Sequence, residues 1–174
     1  MAPNYSRQRP LSSSVMSQII PPSMAAELQA WNNGQGIDLE SWIGCSGNFG
    51  LAVGYSSTFW PRFVEFDGYI LREGFSVESL RGFEASCKGN RRGVETVMNH
   101  LHLADIQHYG CEDLSLDKLL LLGRVFREIC EAKLLWQFPS RPCTVSYYVP
   151  PDPNDLMAHE ISFWQKAHEF GSET

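Results

Sequence analysis

The sequence predicts an α+β fold: a small antiparallel β section, made of a hairpin over 62–73 and a strand near 143–149, packed against about four helices. Three observations lead there. Strand-like and helix-like segments come in runs rather than in alternation. Asp67-Gly68 sits between two β-prone segments, the pattern of a two-residue hairpin turn. From Ser76 onward the apolar residues recur with a helical period.

The elements follow in order. Residues 1–22 hold five Ser, four Pro and two Arg and no acid, a composition that cannot bury enough to order itself, and they are expected to be a disordered tail. The remainder, 23–170, is expected to form one globular domain. A short helix is predicted over Met24–Trp31, stopped by Asn-Asn-Gly-Gln-Gly. From Trp42 to Phe75 the chain carries nine of its 21 aromatic residues, with four closely spaced glycines, and reads as β structure with tight turns. Within it, pairing across Asp67-Gly68 sets Phe66 beside Tyr69, Val64 beside Leu71 and Arg62 beside Glu73, each a favourable cross-strand pair. Ser76 caps a helix to Cys87, with Gly89 as its stop. Asn90 starts a second, through Gln107, ended by Gly110. Ser115 starts a third, to Trp136, with Arg124–Glu128 and Arg127–Glu131 pairs at i,i+4. Cys143–Val149 reads as a strand. Asp152-Pro153 opens a last helix, through about Ala167.

The bulk composition limits function. The 174 residues are 43% hydrophobic, enough for a core without staples. A net charge of −6 repels nucleic acid unless basic residues cluster. The best cluster, Lys88, Arg91 and Arg92, reads as a solvated loop. Five dispersed cysteines with no C-x-x-C favour a reducing compartment over a disulfide framework or a zinc finger, so a cytoplasmic location is expected. No apolar run suits a membrane span, and no secretory leader or membrane partner is expected. The glycines of 44–54 match no phosphate-loop pattern.

The densest chemistry lies between Glu95 and Asp113, with three of the five histidines. On a continuous helix His100 and His102 fall ~160° apart. They could share a metal only if that stretch were a strand, where they share a face. No metal and no cofactor is therefore expected, with His100 and His102 as the one alternative pair of ligands. Asp105 and His108, at i,i+3, are predicted neighbours and a candidate acid/base pair. Glu160 falls on the apolar face of the last predicted helix and is the third candidate catalytic group. Trp60, held on the stiff Phe59-Trp60-Pro61 segment, is a candidate binding anchor, with Glu65 and Asp67 as its acidic companions. The expected function is a small acidic binding protein, of the inhibitor or immunity type, for a basic protein partner. The alternative is a small hydrolase or metal-dependent enzyme working through Asp105, His108 and Glu160.

Overall fold

In the computed structural model, which describes residues 20–169, the fold is α+β: six α-helices and two small antiparallel sheets among those residues. The tail expected over 1–22 lies outside the described residues except for 20–22. The chain divides into two compact units, one ending at Ser46 and the other starting at Gly47.

The first unit contains α1 (Ala25–Ala30) and α2 (Leu39–Ser46). Asn32, Asn33, Gly34 and Gly36 all have positive φ, which turns the chain back after α1. Asp38 caps α2 by accepting from the Ser41 N–H at 2.7 Å. Trp42 donates its indole N–H to Glu27 at 2.9 Å.

The second unit opens with α3 (Phe49–Phe59), whose N-cap Asn48 accepts from the Leu51 N–H. This corrects the β reading of 42–59. The segment is uncharged and its few polar residues, Ser56 to Thr58, are consecutive, so it lacks the one-sided period that marks a surface helix. Beyond it the hairpin forms as expected. β1 (Phe63–Phe66) pairs with β2 (Tyr69–Arg72), with Phe66 opposite Tyr69 and Val64 opposite Leu71. Glu73 donates its N–H to Arg62 at 2.8 Å, and their side chains form an ion pair at 3.6 Å. Asp67 and Gly68 both have positive φ (49° and 78°), as a type I′ turn requires.

Ser76 caps α4 (Val77–Ser86), and Asn90 caps α5 (Arg91–Met98). The helix expected to reach Gln107 therefore stops nine residues early by sequence number, at Met98. Its C-cap, Asn99, is fully buried and is drawn into tertiary hydrogen bonds; the chain leaves it as β3 (Leu101–His102). α6 (Leu116–Gln137) follows Ser115 as expected. Arg127 pairs with Glu131 at 2.9 Å, but Arg124 turns back to the Leu120 carbonyl instead of meeting Glu128. β4 (Cys143–Tyr148) agrees with its expected strand. The last predicted helix is instead β5 (Glu160–Gln165), the centre of a β3-β5-β4 sheet. Its residues 161–165 are all buried, the polar Ser162 and Gln165 included, so burial there does not alternate along the strand.

The two sheets are joined by side chains of α5. β3 is only two residues long, so it leaves the Phe163 carbonyl and Gln165 N–H of β5 without strand partners on that edge. Asn99 donates its amide to Phe163 O (3.1 Å) and Ile70 O (2.9 Å) and accepts from the Arg72 N–H (3.1 Å). Glu95, one turn earlier and fully buried, accepts at Oε1 from Ile70 N and Gln165 Nε2, and at Oε2 from Gln165 N and His168 Nδ1. Buried backbone groups must find partners, and here a carboxylate and an amide supply them to both sheets. Phe63 and Phe163 meet edge-to-face at 4.8 Å on the core side. Each fully buried Phe contributes roughly 1.5–3 kcal/mol.

Gly123 sits inside α6 for a steric reason. A Cβ there would lie 2.1 Å from the Tyr147 ring, so only glycine lets Tyr147 cross the helix. The Tyr147 hydroxyl bonds to the Leu119 carbonyl at 3.0 Å and to His159 Nδ1 at 2.8 Å. With its one proton given to the carbonyl, the hydroxyl accepts from an Nδ1–H, which leaves His159 Nε2 as a bare acceptor. That atom is buried without a partner among the described residues, and burial pushes the His159 pKa down.

Candidate anion-binding cleft

The expected acid/base residues do not assemble. Asp105 lies in a short 3-10 turn, Leu103–Ile106, and His108 in the exposed loop after it. His108 Nδ1 accepts from the Gly110 N–H at 3.1 Å, and its ring lies against Tyr109. No hydrogen bond or ion pair joins it to Asp105 among the described residues. Glu160 begins β5, not a helix, opposite His102. His100 and His102 do come together, with ring centroids 5.3 Å apart, because the chain has left the helix there. Among the described residues, no group of three His, Cys, Asp or Glu is placed to hold a metal ion. Of the acidic companions proposed for Trp60, Glu65 is held by Arg141 at 2.5 Å and Asp67 by Arg81. The arginines read as a solvated loop instead stack on aromatic rings, Arg91 on Tyr69 at 3.8 Å and Arg92 on Trp164 at 4.6 Å.

Trp60 is different. Pro61 follows it and ends α3, since a residue before proline leaves the helical region. The Trp60 N–H still reaches back to the Ser56 carbonyl at 3.0 Å, and the residue is 51% exposed. The ring forms one wall of a cleft of about 500 Å³. The cleft is built from four places in the chain: Ser56 and Ser57 at the end of α3, Trp60 to Arg62, Arg72 and Glu73 at the end of β2, and Lys133 on α6. That volume lies within the range of small-molecule sites, roughly 300–1,000 Å³.

Its charge is opposite to that of the chain. Arg62, Arg72 and Lys133 face one acid, Glu73, which already pairs with Arg62 at the rim. Lys133 is only 6% exposed, and its ammonium lies 4.5 Å from the rings of both Trp60 and Trp136. The half-buried Arg72 has its guanidinium pKa pushed down by desolvation. The Cys130 thiol opposes that shift only when ionised. Burial holds this thiol up at about 11, so it is neutral at pH 7 and leaves Arg72 uncompensated. Among the described residues, neither cation has a hydrogen bond or a carboxylate partner. Buried charge is ordinarily paired, because desolvation without compensation is costly. Two cations at one cleft, neither with a carboxylate beside it, therefore mark a place where an anion is favoured.

Two hydroxyls that line the same cleft add acceptors. Ser56 Oγ donates to the Val53 carbonyl at 2.7 Å and Ser57 Oγ to Gly54 at 2.8 Å. With their protons used on the helix, both oxygens keep lone pairs for a donor. No family model matches the chain, and no curated protein or solved structure does. No helix among the described residues is long and apolar enough to cross a membrane.

Sequence reasoning found Trp60 and missed Lys133 and Arg72. The signal for Lys133 was present: it falls on the stripe Leu119, Phe126, Cys130, Leu134 that α6 buries. A lysine on a buried stripe needs an outlet for its charge.

Proposed function

We propose that this protein is a binding protein whose recognition site is the Trp60 cleft, and that it takes a ligand carrying an anionic group beside an apolar or aromatic one. The observation that carries the reading is the pair of Arg72, partly desolvated, and Lys133, held against two indole rings, neither with a counter-ion and both beside the exposed Trp60. Exposed Trp136, whose ring lies beside both Lys133 and Trp60, extends the apolar rim, as an interaction surface requires. The reading departs from the expected basic partner in one respect: the charge offered by the cleft is positive, so the chemistry recognised is anionic. A hydrolase working through Asp105, His108 and Glu160 draws no support from where those residues lie. All five cysteines are free, which supports a reducing compartment, and we assign the protein to the cytoplasm on that ground.

Calorimetric titration with phenyl phosphate, benzoate and inorganic phosphate tests the proposal. Saturable binding of at least one of them is expected, weakening as salt rises and lost in Arg72→Gln. The absence of saturable binding by all three, or equal binding by Arg72→Gln, refutes it.

A further inference from the structure

Resting on that reading, we infer that the cleft ligand is a nucleoside monophosphate. Three groups on its walls match the three parts of such a molecule. The first is charge. With Arg62 and Glu73 paired at the rim, Arg72 and Lys133 remain as two cations for a phosphate monoester, which is close to dianionic at neutral pH. A guanidinium also offers a planar fork of donors suited to two phosphate oxygens.

The second part is the ring. Trp60 is 51% exposed while Lys133 lies over its indole, so the ring serves the ammonium and still offers surface to the cleft. Bases of any kind stack on such a platform. The third is the sugar. Ser56 and Ser57 line the same cleft with their protons already committed to Val53 and Gly54. They can only accept, and what they accept from is a hydroxyl or N–H donor on the ligand. A simple aryl phosphate or carboxylate has no such donor, whereas a ribose has two hydroxyls. The volume of about 500 Å³ suits a mononucleotide.

Calorimetry on the full chain with AMP, UMP, ribose 5-phosphate, phenyl phosphate and inorganic phosphate decides it. AMP and UMP are expected to bind more tightly than ribose 5-phosphate by at least about tenfold, within the range of one base–aromatic stack. They are also expected to exceed phenyl phosphate by several-fold. The double variant Ser56→Ala/Ser57→Ala, on an exposed helical turn and expected to fold normally, should weaken AMP several-fold and leave phenyl phosphate unchanged. AMP binding no tighter than phenyl phosphate, or undiminished in the double variant, overturns the nucleotide assignment while the anion site stands. Silence from every ligand, inorganic phosphate included, defeats the anion site itself.

Discussion

Replacing Glu95 by Gln keeps the shape of the side chain and changes only what its two terminal atoms can do. The carboxylate is fully buried and each oxygen accepts two hydrogen bonds. An amide accepts at one atom and donates at the other. If the nitrogen takes the Oε1 place, it faces the Ile70 N–H and the Gln165 amide, whose own oxygen is committed to Arg141 Nε at 2.9 Å. If it takes the Oε2 place, it faces the Gln165 N–H and His168 Nδ1. His168 cannot simply switch tautomer, because its Nε2 accepts from Arg91 Nε at 3.2 Å. Either orientation sets a donor against one backbone N–H and one side chain. At about 1–3 kcal/mol for each buried group left unsatisfied, Glu95→Gln should cost roughly 2–6 kcal/mol. That is a large fraction of the ~5–15 kcal/mol that holds a domain together. Urea unfolding followed by circular dichroism measures it, provided the slope is unchanged. A loss below ~1 kcal/mol would refute the idea that Glu95 ties the hairpin to the central strand.

Gly123→Ala should destabilise the protein, although alanine is the better helix former by ~1 kcal/mol, because the new Cβ meets the Tyr147 ring; thermal melting that shows a gain instead would remove that steric argument. His159 is buried with a depressed pKa, so the unfolded chain binds a proton that the fold excludes. Its stabilising contribution is fully present above the unfolded value of ~6.5 and is lost as pH falls from there through the lower folded value. Unfolding midpoints at about pH 7.5 and about pH 5.5, one on each side of that value, should therefore differ in wild type and differ less in His159→Phe; equal pH dependence in both would show that His159 is not the group. Burial holds the Cys130 and Cys143 thiols up at about 11 and about 12, while Cys45 and Cys111 are exposed. Iodoacetamide followed by peptide mass mapping should mark the two exposed cysteines first, and early labelling of Cys130 would contradict its placement in the core.

What the sequence made legible was local. The Asp67-Gly68 turn needs two positive φ values and carries its own signature, so hairpin and register were readable together. α4 and α6 announced their starts with Ser76 and Ser115. What failed depended on partners distant in the chain. The helical period of 94–104 continues past Met98, but Asn99 finds three backbone partners on two strands and the helix gives way there. β5 is buried on both faces, and Glu160 looked like a helical anomaly only because the segment was read with the wrong period. α3, uncharged and without a one-sided apolar period, resembled strands for the same reason. The cleft draws on α3, the hairpin and α6, so no spacing rule could gather it. Trp60-Pro61 was its one local mark, and Lys133 on a buried stripe was the clue left unused.

The most direct test of the anion cleft is an NMR titration of the ¹⁵N-labelled protein with phenyl phosphate, following the backbone amides and the indole N–H signals. The account predicts saturable shifts concentrated at Ser56–Arg62, Arg72–Glu73 and Lys133–Trp136, including the Trp60 indole, that shrink as salt is added and vanish in Arg72→Gln. Shifts that do not saturate, or that map to the His108 loop while the Trp60 indole stays still, would contradict it.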